Sequence, residues 1–236
     1  MKSSTLKKTL IAAAAVLLVI CVAAGVTLYL RYPHIQLAKG ERCYKTGDFI
    51  EAAKYFRKAA ERGNAKAQFE LGGCYACGLG VEEAPEQAVK WYRKAAEQGY
   101  VKAQLKLVFC YCFGDGVDKD LEQGKYWLRK AVAGFRKEAE RGDAEAQYYL
   151  GMLYEHGKGV ERDLERAKYW YRKEVAGLRK KAERGDSKAQ YNLGIRYEFG
   201  KSVGVAKDLE QAVYWYRKAA AQDLSLAKLK LEELGK

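Results

Sequence analysis

The stretch Gly200-Lys201-Ser202-Val203-Gly204 matches two short patterns that are typical of chemistry. It fits the G-x-S-x-G pattern of a hydrolase nucleophile elbow, and its first three residues match the end of a phosphate-binding loop. A nucleophile elbow needs a turn from a strand into a helix, with a histidine and an acid as partners. The chain has two histidines, His34 and His156, and Ile195 stands where a phosphate-binding loop needs glycine. We therefore interpret Ser202 as a surface loop residue and not as a nucleophile.

Closely spaced cysteines are the second candidate for chemistry. Two residues separate Cys74 from Cys77, and one separates Cys110 from Cys112. Such spacing occurs in zinc sites, and an exported domain would also favour disulfides. Core or free thiols are the third interpretation, which the repeats described below favour.

The beginning of the chain differs in composition from the rest. A short basic segment, 1–8, precedes segment 9–30, which is apolar from Leu10 to Leu30 except at Gly25 and Thr27. About 20 such residues span a bilayer, so we predict a transmembrane signal anchor at 9–30. A signal peptide cut after Ala24 is the alternative.

The charge distribution predicts where the remaining chain resides. A short basic N-terminus usually stays inside the cell, so we expect a single-pass membrane protein whose C-terminal domain is exported, into the periplasm in a bacterium. A cytoplasmic orientation and a cleaved, secreted form are the alternatives. The net charge of +13 favours acidic partners or anionic surfaces.

Internal repeats dominate the sequence after residue 36. Four glutamines in an "A-x-A-Q" context mark the repeats at intervals of 36, 43 and 43 residues: Gln68, Gln104, Gln147 and Gln190. Each glutamine is followed by a glycine-rich loop and then by a block such as "AVKWYRKAAEQG". Apolar residues in both blocks recur with helical spacing, as at Ala67, Leu71, Cys74 and Tyr75. Each repeat is therefore predicted to be a helical hairpin.

Residues that are typical of helix ends flank the predicted helices of these hairpins. Asp120, Asp163 and Asp208 are predicted N-caps of second helices, and Pro85 suits a first helical turn. Glycines that tolerate a positive φ are predicted to end the first helices, namely Gly78, Gly114, Gly157 and Gly200.

The recurring "AxAQ", "LG", "G-x-G-V" and "WYRKAA" elements resemble the SEL-1-like repeat family, relatives of the tetratricopeptide repeats. The resemblance implies an all-α, right-handed α-solenoid and a protein-binding scaffold rather than an enzyme. We divide the chain after the anchor into a linker at 31–36, a short tetratricopeptide-like unit at 37–63, repeats at 64–99, 100–142, 143–185 and 186–223, and a capping helix at 224–236.

Two repeats, 100–142 and 143–185, carry second helices that are seven residues longer than the others. Seven residues are about two helical turns, so we expect the ends of these helices to project. Phe135 and Leu178, at equivalent places in the two extensions, are expected to pack together there.

Two further sets of residues follow from the alignment of the repeats. Cys43, Cys74 and Cys110 are assigned to one register position, which predicts a packing ladder of free thiols. Arginines that precede a lysine form a predicted solvated basic row: Arg57, Arg93, Arg129, Arg172 and Arg217. Anionic membrane or another polyanion is the alternative role for this row, with nucleic acid the weaker of these ligands.

Positions that vary between repeats are the candidates for specific binding. First helices line the concave surface in related solenoids, so the resemblance makes one line along them a partner-binding groove. Its members are Lys102, Lys106, Phe109, Phe113, Tyr149, Met152, His156, Asn192, Ile195 and Phe199. Packing within the solenoid is the alternative role for each of them.

The predicted function is a membrane-anchored scaffold that binds a protein or peptide, with Lys102 and Lys106 favouring acidic segments. The sequence indicates no catalytic residues, cofactor or metal, and nucleic acid is not the expected partner. A cell-envelope hydrolase, an activity ascribed to some bacterial relatives, is the enzymatic alternative.

Overall fold

The computed structural model describes residues 31–200 and 206–236, and every regular element in these ranges is a helix. Helix α1 comprises residues 31–45. It is followed by α2 (Phe49–Glu61), α3 (Ala65–Cys77), α4 (Pro85–Glu97), α5 (Val101–Phe113), α6 (Leu121–Glu140), α7 (Ala144–His156), α8 (Leu164–Glu183), α9 (Ser187–Phe199), α10 (Leu209–Ala220) and α11 (Ser225–Glu233). The predicted all-helical repeat fold is confirmed.

The chain divides into two compact units, one ending at Leu121 and the other spanning Glu122–Lys236. In unit 1 the core includes Phe56, Leu71 and Cys74. In unit 2 Leu178, Leu193 and Tyr216 belong to a second core.

Two predictions concern parts of the chain beyond this description. Ser202 and the anchor at 9–30 lie outside the described residues. Within 31–200 and 206–236, no helix combines the length and the apolar character needed to cross a bilayer.

The predicted helix ends are present. Asp163 and Asp208 accept hydrogen bonds from backbone N–H groups three residues later, and Pro85 opens α4. The first helices end at left-handed glycines, as at Gly78 and Gly157. These caps satisfy backbone groups that a helix end leaves without partners, which defines where each helix begins and ends.

A glycine on each of several first helices allows close contact with an aromatic ring of the following second helix. A Cβ on Gly72 would lie 2.6 Å from the Tyr92 ring, and a Cβ on Gly151 would lie 2.6 Å from the Tyr171 ring. These are far below ordinary contact distances, so only glycine fits without displacement of the ring.

The same contact corrects the register of the leading unit. A Cβ on Gly40 would lie 2.6 Å from the Phe56 ring, so Gly40 is equivalent to Gly72 and the buried Gln36 to Gln68. Cys43 is therefore equivalent to Tyr75 and not to Cys74, which is a correction. The linker expected at 31–36 is helical and forms part of α1.

Glutamines join successive hairpins to one another. The Gln68 side chain donates to the carbonyl of Ala60 at the end of α2 (3.1 Å), and Gln147 donates to Ala139 at the end of α6 (2.9 Å). The C-terminal turn of the 20-residue helix α6 thus packs on α7 as the shorter α2 packs on α3. The C-terminal end of α6 therefore does not project beyond the next hairpin.

The end of α6 that does project, as the sequence predicts for the long helices, is its beginning. Gly80 lies against the carbonyl of Phe49, the first residue of α2, whereas Gly159 lies against Leu128 and Val132. Leu128 is seven residues inside α6, so the first two turns of α6 continue past the loop that contains Gly159.

Phe135 and Leu178 do not form the predicted contact with one another. Phe135 stacks on Tyr149 of α7, with ring centroids 5.0 Å apart. Leu178 belongs to the core that contains Leu193 of α9. Each extension packs on the first helix that follows it, because the register there is the same as in the shorter repeats.

Two glycines within helices of unit 2 provide a matched test of this packing. Gly151→Ala should destabilise the protein by about 1–3 kcal/mol, because the new methyl group displaces the buried Tyr171 ring. Gly177→Ala should stabilise it by about 0.5–1 kcal/mol, because a Cβ at Gly177 meets nothing within 4 Å. Urea unfolding followed by circular dichroism measures both. Equal effects of the two substitutions would contradict the proposed role of Gly151.

Candidate functional site

The clearest exposed apolar feature of unit 1 lies on α5. Phe109 and Phe113 are one helical turn apart, and their side chains are 58% and 76% exposed. The two rings stack with centroids 6.2 Å apart and an interplanar angle of 9°. Leu107 and Cys110, on the other side of α5, are buried. We call Phe109, Phe113 and the exposed Lys102 and Lys106 the α5 patch.

Charged residues of α1 and α3 belong to the same unit. Lys66 forms an ion pair with Glu41 (Nζ–Oε1 2.5 Å), and this hydrogen bond raises the pKa of the Lys66 ammonium. Burial raises the pKa of Glu70, an effect that the nearby Lys66 and Lys102 oppose. Unit 1 therefore carries cationic side chains beside a partly desolvated carboxylate.

The predicted groove positions of unit 2 have unequal environments. Phe199 is 60% exposed, and His156 and Asn192 are also exposed. Tyr149, Met152 and Ile195 are half-buried. Tyr149 stacks on Phe135 and Ile195 packs against the unit 2 core, so both contribute to the scaffold.

All five arginines of the predicted basic row are exposed, but two of them also bind a tyrosine of the next helix. Arg57 donates to the Tyr75 hydroxyl (2.7 Å), and Arg93 donates to the Tyr111 hydroxyl. In the lengthened helices the equivalent bonds come from Arg136, to Tyr154 (3.0 Å), and from Arg179, to Tyr197. The extension repeats the Arg-Lys pair after seven residues and so moves the structural role to the second pair. Arg129 and Arg172 therefore lack this structural role although they are exposed like the others, and Arg217 is exposed too.

A buried ion pair in unit 2 was not predicted. Glu174 of α8 is 2% exposed, and both Nε and Nη2 of Arg196 bind its Oε1 atom, at 2.8 and 2.7 Å. Arg196 also lies over the Tyr148 ring, 4.0 Å from the centroid. The preceding repeat has Ala131 and Leu153 at these two positions. Two residues of opposite charge thus replace two apolar residues of the repeat pattern, and this joint change was the signal in the sequence that could have predicted the ion pair.

Cysteines Cys74 and Cys110 pack in the core of unit 1. Burial raises the pKa of each thiol to about 11, so little thiolate forms at neutral pH. Cys77 is exposed, and the five cysteines within the described ranges are free thiols. Those ranges also contain no group of three metal-binding side chains.

Comparison with known proteins follows the same repeat boundaries. The family model of the Sel1 repeat matches residues 36–64, 65–100, 101–134, 144–173 and 187–224. The chain belongs to the Sel1 repeat family. The first match includes Gln36, in agreement with the corrected register. Sel1 repeat proteins are generally protein-interaction scaffolds and typically not enzymes.

Several solved structures are similar to this Sel1 repeat chain. A Sel1 repeat protein from Oxalobacter formigenes is 35% identical, with 88% of this chain and 57% of that chain covered and a TM-score of 0.49. A protective antigen of uropathogenic Escherichia coli is 32% identical, with coverages of 84% and 56% and a TM-score of 0.39. Cysteine rich protein B of Helicobacter pylori is 26% identical, with coverages of 61% and 92% and a TM-score of 0.28. The chain spans less than two thirds of the first two proteins, and no curated protein matches it.

The buried ion pair makes a specific prediction about stability. Glu174→Ala should destabilise the protein by about 3–5 kcal/mol, because it leaves the Arg196 charge largely desolvated without its partner. The double variant Glu174→Ala/Arg196→Leu reproduces the residues of the preceding repeat and should recover most of that loss. Urea unfolding of both variants tests the coupling. Additive losses in the double variant would show that the two residues do not act as a pair.

Proposed function

We propose that this Sel1 repeat protein is a scaffold that binds a protein or peptide through the α5 patch. The supporting observation is the exposed, stacked pair of Phe109 and Phe113, whose rings contribute little to the core of unit 1. Aromatic side chains, phenylalanine among them, are enriched at the cores of protein–protein interfaces.

The chemistry of the patch indicates the class of ligand. The two aromatic rings offer an apolar contact surface, and Lys102 and Lys106 lie on the same helix. A segment that presents apolar side chains together with acidic ones would satisfy both features. Because α5 is held by its contacts with α4, the patch is formed before binding and little ordering cost is expected.

In unit 2, Phe199, His156 and Asn192 are the exposed members of the predicted groove line. We propose that they form a secondary contact surface, whereas Tyr149, Met152 and Ile195 support it from half-buried positions. We assign these two roles from burial, since a side chain that already packs on the scaffold has less surface left for a partner.

The proposed binding function is tested by replacing the two phenylalanines. A photocrosslinking amino acid at position 109 of the full chain, in its native membrane, identifies the contacting partner. The variant Phe109→Ala/Phe113→Ala should then weaken binding of that partner by roughly 100-fold or more in calorimetry. Its stability should change by less than about 1 kcal/mol, because both rings are exposed.

Ile50→Ala is the matched control, since Ile50 is an exposed apolar residue of α2, 60% exposed. It should leave binding unchanged. Undiminished affinity of the double phenylalanine variant would reject the α5 patch as the binding site.

We also propose that residues 9–30 anchor the chain in a membrane with the repeats exported. The apolar run from Leu10 to Leu30, preceded by Lys2, Lys7 and Lys8, supports this arrangement. Protease added outside intact spheroplasts should digest the repeats while an internal marker survives. Digestion only after lysis would assign the repeats to the cytoplasm.

A further inference from the structure

The second helices of unit 2 share an exposed aromatic position that unit 1 lacks. Tyr126, Tyr169 and Tyr214 stand at this position and are 41%, 50% and 47% exposed. The equivalent residues of α2 and α4 are Lys54 and Lys90. The feature therefore separates one unit from the other.

Each of these tyrosines is held by a buried neighbour. Tyr169 packs edge-on against Trp170, with centroids 5.0 Å apart and an interplanar angle of 77°. Tyr126 and Tyr214 make the same contact with Trp127 and Trp215. The tryptophan belongs to the core, so it fixes the exposed ring on the outer side of its helix.

Cationic side chains accompany every ring. The Lys173 ammonium lies 4.9 Å from the Tyr169 centroid, and Lys130 and Lys218 occupy the same place beside Tyr126 and Tyr214. The exposed arginines Arg129, Arg172 and Arg217 precede these lysines. We call these tyrosines, lysines and arginines the unit 2 stripe.

Carboxylates at the beginning of two of these helices are already paired within the helix. Glu122 binds Lys125 and Glu165 binds Lys168, both at 2.8 Å. These local pairs limit how far the two carboxylates offset the positive charge of the stripe.

An open apolar cleft continues the stripe on α10. Its volume is about 740 Å³, and Leu209, Val213 and Tyr214 form its apolar wall. Arg217, Lys218 and Lys236 also line the cleft, together with Glu210. An apolar cleft whose charged residues are mainly cationic is complementary to an amphiphile that has an anionic head.

We propose that the unit 2 stripe binds the surface of a bilayer that contains acidic phospholipids. Tyrosine is enriched at the boundary between water and hydrocarbon, where its ring and hydroxyl meet different environments. Lysine and arginine near the surface add electrostatic attraction to anionic headgroups. The cleft on α10 accommodates part of a lipid that reaches out of the headgroup layer.

The repetition of the stripe favours a membrane over a protein partner. A specific peptide presents different side chains along its length, whereas the stripe offers one Tyr-Arg-Lys set three times. A lipid surface is chemically uniform and can engage each set in the same way. The stripe shares no residue with the α5 patch, so this proposal does not depend on the protein partner proposed above.

The test uses the full chain reconstituted in vesicles, with p-benzoylphenylalanine in place of Tyr169. Irradiation should crosslink position 169 to lipid in vesicles that contain phosphatidylglycerol. Labelling should fall at least about tenfold in pure phosphatidylcholine and should decrease as salt is raised. The same probe at Phe113, which is 76% exposed in unit 1, is the matched control and should show only background labelling.

A charge variant separates the stripe from the N-terminal segment. Replacing Arg172, Lys173, Arg217 and Lys218 with glutamine should reduce labelling at position 169 at least about tenfold while the circular dichroism spectrum is unchanged, since all four are exposed. Equal labelling in the two kinds of vesicle, or equal labelling at positions 113 and 169, would overturn the proposal. Saturable binding of single-stranded RNA that this variant loses, without lipid labelling at position 169, would assign the stripe to nucleic acid instead.

Discussion

The close approach of a glycine to an aromatic ring is the contact on which four of the hairpins depend, whereas α5 and α6 carry Val108 and Leu128 at the two equivalent positions. At Gly40, Gly72, Gly151 and Gly194 the first helix comes near enough to its partner that a methyl group would overlap the ring of the second helix. The ring fills the space between the helices, and the glycine lets the backbones approach. In these four hairpins the small separation of the two helices brings their apolar faces into direct contact.

A second constraint joins one hairpin to the next. The glutamine near the beginning of a first helix bonds to the end of the preceding second helix, and an arginine of that second helix bonds to a tyrosine eighteen residues later. Both bonds survive the seven-residue extensions. Gln147 and Gln190 still bond to the last turn of the preceding helix, and a second Arg-Lys pair in the extension supplies the arginine. The extension therefore adds two turns without changing how the next hairpin is attached. It also leaves the first of the two arginines, as at Arg129 and Arg172, available for solvent or a ligand.

Periodicity in the sequence predicted the elements and many of their ends. The apolar spacing, the aspartate N-caps and the left-handed glycines depend on local physics, which one repeat already displays. The register of α1 and the Glu174–Arg196 ion pair were not predicted, because both depend on contacts between helices that are distant in the sequence. The register of α1 was wrong by one residue because Cys43 resembles Cys74 in type, whereas the packing of Gly40 on Phe56 determines the equivalence. The Glu174–Arg196 pair was missed because each residue alone looks like an ordinary surface charge.

From the sequence, the candidate site could be predicted only as a set of positions along one face of the first helices. Helical geometry identified Phe109, Phe113 and Phe199 as lying off the repeated core face, and all three are exposed. It could not separate them from Tyr149 and Ile195, whose burial depends on the neighbouring helices.

Within this account, second helices and core residues maintain the scaffold, and the exposed part of α5 selects the protein partner. Carbene footprinting of the full chain with and without its crosslinked partner tests that claim most directly. Protection of Phe109 and Phe113 in the complex, with unchanged labelling of Ile50, is the predicted result. Unchanged labelling of both phenylalanines in a fully formed complex would contradict it.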